Sequence, residues 1–457
     1  MRVAIIGAGY VGLTTGAALA YLGHEVTAVE RDREKVRLLS QGESPIHEAG
    51  LAPLLELVRS RFKVTSDVAS AVPSADVVII AVGTPPKPNG NADTRHVELA
   101  AREVAEHLSN SQASCTLVIK STVPIGTHRR VRAVVERTLG GLGPASRVYV
   151  ASNPEFLREG RALRDMFYPD RIVVGAEEAI AFATLRRLYE PILEQAFDPP
   201  EFLPRPAGLK PPVFVETDPS SAEMIKYAAN AFVALKISFI NEIAGLCERV
   251  GADVTEVARG IGLDPRIGPD FLGAGLGWGG SCLPKDTAAL LGVASEYGYT
   301  MPLVQAAREV NERQKMLAIE KLQAALKVLR GRTIAVLGLA FKPGTDDVRE
   351  STSIAVIRLL VERGAHVRAH DPVAIANARV ALADVEDVEF VSDPVEAVDG
   401  ADGLLLATDW DDYRHLPLAE LARRMRSPVL VDGRNLITPR AAREAGFVYF
   451  GIGRAVG

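Results

Sequence analysis

A chain of 457 residues corresponds to roughly three typical domains, which excludes a single small binding module. Hydrophobic residues at 47% against 24% charged supply apolar material for more than one core and exclude disorder as the main state. With 57 acidic and 52 basic residues, a formal charge of -5, no global positive field recruits nucleic acid or an anionic membrane.

Residues 2–6 (RVAII) read as a short buried parallel strand, 7–12 as a tight turn and 13–22 as a helix of small residues. The stretch 3–23 is uncharged and passes for a signal peptide or membrane span on hydropathy, but glycines at 7, 9, 12, 16 and 23 make it a poor lipid span. No other segment competes as a membrane helix on this reading, so a cytoplasmic protein is expected. Strands follow at 25–30, 77–82, 116–120, 148–151 and 171–175, with helical stretches such as 96–109 and 127–139 between them. That alternation predicts a parallel sheet with crossover helices.

Six prolines within 199–212 predict an extended, exposed connection. From Pro219 a long helical pattern begins, capped by Ser220 or Ser221 with Glu223. Its broad apolar faces predict a helical middle part and a subunit seam. At Arg332 the opening pattern recurs: RTIAVLGLAFK, a helix to Arg363, then GAHVRAHDP ending in Asp371, without the GxGxxG spacing. Duplication, and two α/β domains that merely look alike, account equally well for this. Strands at 403–407 and 429–431 complete the second set. The expected fold is α/β: two Rossmann-like doubly wound parallel-sheet domains (1–214 and 323–457) joined by a central helical domain (215–322).

Gly7, Gly9 and Gly12 form G-x-G-x-x-G between a strand and a helix, the arrangement that lets a pyrophosphate approach helix N-terminal N–H groups. Glu30 ends the next strand, where an acidic residue grips a ribose 2′-hydroxyl, and so favours NAD; Arg31 and Arg33 leave room for NADP. Of three cysteines, Cys115 and Cys247 read as core residues and none is in a CxxC, which argues against a disulfide framework or structural zinc. Cys282 lies in the glycine-rich GWGGSCLPKD (277–286), where backbone can approach a ligand and Lys285 supplies a cation that favours a nucleophilic thiolate. Glu155 and Glu159 are four apart in NPEFLREG. On a helix they would share a face, as a water-orienting pair or as solvated acids at a helix start. Lys226 and Asn230 are also four apart in an apolar helix. Residue types do not choose there between a lysine that reaches solvent and one that stabilises an alkoxide. The eight histidines form no HxH or HExxH, so no metal is expected.

Taken together and in this order, GAGYVG, VGTPPKPNGNAD, KSTVPIGT, NPEFLREG, AEMIKYAANAFVALKISFINEIA, GWGGSCLPKD, AFKPGTDDVRES and DGRN closely resemble the nucleotide-sugar 6-dehydrogenases of the UDP-glucose/GDP-mannose dehydrogenase family. The likeness covers nearly the whole chain, and GGSCxPKD with NPEFLREG is its specific part. It implies an N-terminal NAD domain, a dimerising helical middle and a C-terminal domain for the nucleotide-sugar. It also implies a four-electron oxidation of a primary alcohol to a carboxylate, using two NAD through a cysteine adduct. By this likeness Cys282 is the nucleophile, Thr122 and Asp286 hold the water that takes the hydroxyl proton, Lys226 and Asn230 stabilise oxyanions, and Glu155 assists hydrolysis.

The resemblance assigns Gly7, Gly9, Tyr10, Val11, Gly12, Glu30, Lys35, Thr84, Thr122, Glu159, Lys285 and Arg349 to NAD. It assigns Glu155, Phe156, Leu157, Lys226, Asn230, Arg266, Phe271, Gly275, Gly279, Phe341, Lys342 and Arg434 to the nucleotide-sugar. The stretch GLDPRIG (262–268) is similar to the UDP-glucose branch, which implies UDP-glucose as substrate and a homodimer in which Arg266 reaches the neighbouring site. The alternatives are the same chemistry on GDP-mannose or a UDP-N-acetyl-hexosamine, and a non-catalytic nucleotide-sugar sensor, against which Cys282, Lys226 and Asp286 all stand. The proline-rich segment departs from compact bacterial members as an apparent insertion.

Overall fold

The apolar runs of the first part form eight strands. They are β1 (Arg2–Ile6), β2 (Glu25–Val29), β3 (Phe62–Thr65), β4 (Val77–Ile80), β5 (Cys115–Ile119), β6 (Val148–Ser152), β7 (Arg171–Ala176) and β8 (Val213–Thr217). The computed structural model describes residues 1–88, 90–109, 114–140 and 147–454; Asn89 of the VGTPPKPNGNAD motif and the end of the C-terminal part, 455–457, lie outside them. The chain forms two compact units, Met1–Ala228 and Ala229–Gly457.

In the first unit the strand order is β3-β2-β1-β4-β5-β6-β7-β8. Every residue of β4 and β5 is buried, as expected for central strands covered by helices on both faces. The order reverses between β1 and β4, and in such sheets ligands bind beyond the carboxyl ends of the strands at that switch. One strand departs from the expected parallel arrangement. β7 runs antiparallel to β6 and meets it only through Ala151–Ala176 and Ser152–Gly175, while β8 runs parallel to β7. A parallel return needs a crossover that spans the sheet. The connection here holds only the short helix Ala162–Phe167, which packs on the helix Tyr10–Tyr21 with the Tyr21 and Phe167 rings edge to face at 5.6 Å.

The proline-rich segment is largely exposed, as expected, but it is anchored to the first unit. Leu203 and Leu209 pack against the first core, Tyr168 Oη donates to the Leu203 carbonyl at 3.0 Å, and Arg205 donates to the carbonyls of Gln195 and Phe197. The Arg205 guanidinium also lies over the Phe197 ring, 5.4 Å from its centroid.

The long helix spans Pro219–Val250. Its cap is Asp218 rather than a serine: Asp218 Oδ1 accepts the Ser221 N–H at 2.9 Å, and Pro219 stands at the first helical position, where its missing N–H costs nothing. Glu223 turns inward and accepts the N–H groups of Gly126 (2.6 Å) and His128 (2.7 Å), capping the helix Thr127–Leu139 from another element. Burial pushes its carboxyl up to about 7 against those two donors. By length and hydropathy this helix does compete as a membrane span, contrary to the expectation from sequence. Two of its acidic residues nevertheless have protein partners, Glu223 as above and Glu248 in an ion pair with Lys321 at 2.8 Å.

In the second unit lie β9 (Thr333–Leu337), β10 (His366–His370), β11 (Val388–Phe390), β12 (Gly403–Leu406), β13 (Val429–Asp432) and β14 (Val448–Gly451). They pair in parallel in the order β11-β10-β9-β12-β13-β14. This repeats the order of the first six strands, so the recurrence seen at Arg332 is a recurrence of topology. The helices around it share its core: Ile240, Ala318, Ile319 and Leu322 cluster with Ile334, Val336 and Leu405. The fold is thus two Rossmann-like sheets with a set of helices between them in sequence.

Candidate active site

The turn after β1 is built as its glycines require. Gly7 has φ +99, and a Cβ on Gly12 would fall 1.9 Å from the Gly7 carbonyl oxygen, whereas a Cβ on Gly9 would meet nothing within 4 Å. The open side at Gly9 is where a phosphate can approach, so these residues fit a dinucleotide. Glu30 Oε2 accepts the Ala8 N–H at 3.1 Å, which places the carboxylate beside the turn. Arg31 is engaged by Glu103 at 2.6 Å, an exposed pair of little energetic weight. Gly12→Ala is expected to weaken NAD binding on the order of 100-fold, because the displaced turn misplaces the cofactor; titration of NAD against intrinsic fluorescence measures it.

Glu155 gathers the polar groups of the first unit. Its Oε1 accepts Lys226 Nζ at 3.0 Å and Thr122 Oγ1 at 3.3 Å, and its Oε2 accepts the Leu157 N–H at 2.6 Å. Thr122 is pinned in turn, its carbonyl accepting Thr84 Oγ1 at 2.8 Å. Burial alone pushes the Glu155 carboxyl up, but Lys226 by charge and hydrogen bond, the Leu157 N–H and the charge of Lys120 together hold it below its ordinary value. Residues 153–158 have no helical structure, so Glu155 and Glu159 do not share a helix face. The carboxylate's bond to the N–H two residues on closes a local turn that competes with a helix. Two cations lie over the Phe156 ring, Arg171 3.9 Å and Lys226 Nζ 5.4 Å from its centroid.

In the second unit Cys282 is the N-cap residue of the helix Leu283–Glu296 and is half-buried, with Ser281 Oγ 3.6 Å from its sulfur. Helix N-termini point partial positive charge at such a sulfur. One turn on, the buried Asp286 accepts Asn230 Nδ2 at 2.6 Å and Lys285 Nζ at 2.5 Å. The ammonium of Lys285 is therefore matched by Asp286 next to it. The glycines before Cys282 make room for protein as well as for any ligand. A Cβ on Gly279 would fall 2.2 Å from the Glu350 carbonyl oxygen, and one on Gly275 2.7 Å from that of Gly433. Trp278 is held by reciprocal bonds between its backbone and the Asn311 amide (2.7 and 2.9 Å) and by Nε1 donating to Ser238 Oγ at 2.9 Å.

Three family profiles match the chain in order. The NAD binding domain of the UDP-glucose/GDP-mannose dehydrogenase family covers residues 1–193, the central domain of that family 220–313 and its UDP binding domain 335–439. The chain belongs to the UDP-glucose/GDP-mannose dehydrogenase family. It is 45% identical over 462 aligned positions to a UDP-glucose 6-dehydrogenase of Pseudomonas aeruginosa, covering 99% of this chain and 98% of the relative. It is 43% identical to UDP-glucose 6-dehydrogenase TuaD of Bacillus subtilis, covering 99% and 93%. Among solved structures, a UDP-glucose dehydrogenase from Pyrobaculum islandicum superposes with a TM-score of 0.88 at 41% identity, covering 99% of this chain and 98% of that one. The protein is accordingly an NAD-dependent oxidoreductase.

Tyr10 donates its hydroxyl to Glu48, whose carboxylate also accepts the N–H of Gly160 at 2.7 Å and of Leu163 at 3.3 Å. This joins the glycine turn to the half-buried Glu159 segment. Val11, Lys35 and Leu157 are likewise half-buried in the first unit. In the second unit, Arg349 forms a fork with Asp347 at 2.6–2.9 Å. Arg266, 89% exposed, pairs with Asp264 at 2.6 Å. Phe271 is exposed with φ +63, a conformation costly for an aromatic residue and often retained at functional loops. Lys342 lies 5.6 Å from the Phe341 ring centroid. Arg434 donates to the carbonyls of Ala407 (2.8 Å) and Gly277 (3.0 Å) and to Thr352 Oγ1 (3.2 Å), tying down the cysteine loop. Sequence reasoning passed over Glu48 and Asn311, although an acid in the run SPIHEAGL and an amide in an otherwise periodic helix each hint at a buried polar anchor.

Proposed function

We propose that the protein is a UDP-glucose 6-dehydrogenase that converts the C6 alcohol to a carboxylate in two oxidations. The observation that carries this reading is Cys282 at a helix N-terminus, one turn before the Asn230–Asp286 pair, in a chain alike over its full length to UDP-glucose 6-dehydrogenases. Gly7 to Gly12 and Glu30 would hold NAD, which would supply the hydride acceptor for each oxidation. Thr122 and Asp286 are assigned the water that takes the hydroxyl proton. The Cys282 thiol gives up its proton as its sulfur adds, as the thiolate, to the aldehyde carbon, the carbonyl oxygen taking that proton; loss of the second hydride from C6, with the new hydroxyl's proton passing to the bound water, then leaves a thioester. Lys226 and Asn230 offset the oxyanion charge, and Glu155 takes a proton from the water that breaks the C–S bond, returning the thiol and releasing the acid.

The same reading divides the chain at 1–214, 215–322 and 323–457. It makes the protein a cytoplasmic homodimer with Arg266 reaching the partner's site. Supporting the dimer, Phe232, Phe239, Leu246 and Val250 are exposed along one helix, an apolar stripe that isolated chains rarely leave to water. The test is NADH absorbance with UDP-glucose, UDP-galactose, GDP-mannose and UDP-N-acetylglucosamine. Two NADH formed per UDP-glucose, with the others silent, is the expected result. A better rate with another sugar moves the substrate assignment, and one NADH per sugar removes the covalent half of the mechanism.

A further inference from the structure

Strand β5 delivers a lysine to the end of the first sheet, where ligand sites of such sheets lie: Lys120 follows Ile119 and precedes Thr122 by two residues. It is only 5% exposed. Among the described residues its ammonium donates to two neutral acceptors, Asn153 Oδ1 at 3.1 Å and Tyr189 Oη at 3.4 Å, with the Tyr189 ring centroid 5.7 Å away. The acceptors are themselves fixed. Tyr189 Oη donates to Asn153 Oδ1 at 2.6 Å, Asn153 Nδ2 donates to the Val173 carbonyl at 2.8 Å, and the Asn153 N–H donates to the Ile119 carbonyl at 2.9 Å.

An ammonium buried among neutral partners costs several kcal/mol, and a methionine or leucine would fill the same space without that cost. The charge must therefore serve something close by. The charged groups whose fields act on it are those of Glu155, two residues after Asn153, and of Lys226 on the long helix. Tyr189 stays neutral, since burial pushes its hydroxyl up. Burial lowers Lys120 to about 8, with Glu155 acting to raise it and Lys226 to lower it further, so at pH 7 it is still mainly a cation.

We propose that Lys120 is a positioning residue for thioester hydrolysis: its buried charge keeps Glu155 ionised, and its bond to Asn153 fixes the strand-end turn that presents Glu155. This rests on the assignment of Glu155 to hydrolysis made above. Lys120 touches no reacting atom in this scheme. It acts by keeping the neighbouring carboxylate able to accept a proton from water, and that requirement bites on the acid side of the pH profile.

The test compares full-length wild type, Lys120→Met and Lys120→Arg for kcat from about pH 5 to 9. Acid quench and intact-mass measurement give the fraction of enzyme carrying the thioester. In Lys120→Met the acid limb is expected to move up by about one pH unit, with more thioester trapped below it. Lys120→Arg, which keeps the charge, returns the limb toward wild type. A folded Lys120→Met with the wild-type limb and wild-type adduct fraction overturns the proposal, and so does a Lys120→Arg shifted as far as Lys120→Met. If Lys120→Met does not fold, Lys120→Gln, which keeps a donor for Asn153 Oδ1, carries the same two outcomes. A wild type that makes one NADH per sugar and no adduct overturns the proposed reaction itself. Two NADH and an adduct with an unmoved neutral variant overturn only the role of Lys120.

Discussion

Cys282→Ser is expected to stop the enzyme after the first oxidation, with two-NADH turnover reduced on the order of 10³-fold or more. The thiol sits at the N-terminus of Leu283–Glu296, where the unsatisfied N–H groups favour an anion, and the thiolate is the form that adds to an aldehyde. A serine hydroxyl at the same place remains protonated near neutral pH and adds poorly. The loop that presents it should not move, because Trp278 stays locked to Asn311 and Ser238, and Arg434 still holds the Gly277 carbonyl. Single-turnover absorbance should then show at most one NADH per active site, and intact mass should show no thioester. Full two-NADH turnover by Cys282→Ser would remove the covalent intermediate from the mechanism.

The two sheets were legible because their signals are local. A strand, a glycine turn, a helix of small residues and an acidic strand end lie within the first 30 positions, and each follows from contacts between near neighbours. What the pattern did not carry is what the second acid does. Asp371 follows β10 as Glu30 follows β2, yet its Oδ2 accepts the N–H groups of Leu339 and Ala340 together with Trp410 Nε1, and its Oδ1 those of Val373 and Ala374. That carboxylate is consumed in closing its own loop and has no capacity left for a ribose. Trp410 stands 39 residues away from it, so no window of sequence shows the pair. The helical reading of NPEFLREG failed for the converse reason: a single bond from the Leu157 N–H to Glu155 outweighed the four-residue spacing. Likewise the partners of Lys120 lie 33 and 69 residues away, and its pattern TLVIK shows only a strand ending in a polar residue.

Lys226→Ala is expected to cost about 3–5 kcal/mol of stability near neutral pH, because it strands a buried carboxylate. It should also lower kcat by roughly 10²–10³-fold through loss of an oxyanion partner. Lys226 and Glu155 are 4% and 6% exposed and 3.0 Å apart, so solvent does little to screen the loss. The dependence on pH gives the sharper reading. In the wild type the folded Glu155 carboxyl lies below its ordinary value, so its contribution is present above the unfolded-state value and is lost as pH falls through the folded one. Without Lys226 the balance reverses: burial pushes the carboxyl up, opposed by the Leu157 N–H, the Thr122 hydroxyl and the charge of Lys120. The variant then loses stability as pH rises from the unfolded-state value to the raised folded one, because the folded carboxyl holds its proton where the unfolded one has released it. Urea unfolding at about pH 7.5 and again near the unfolded carboxylate value of about 4.3 should therefore show the gap between wild type and variant closing on acidification. A gap of equal size at both would mean that the loss comes from packing of the lysine stem and that the charge pair contributes nothing.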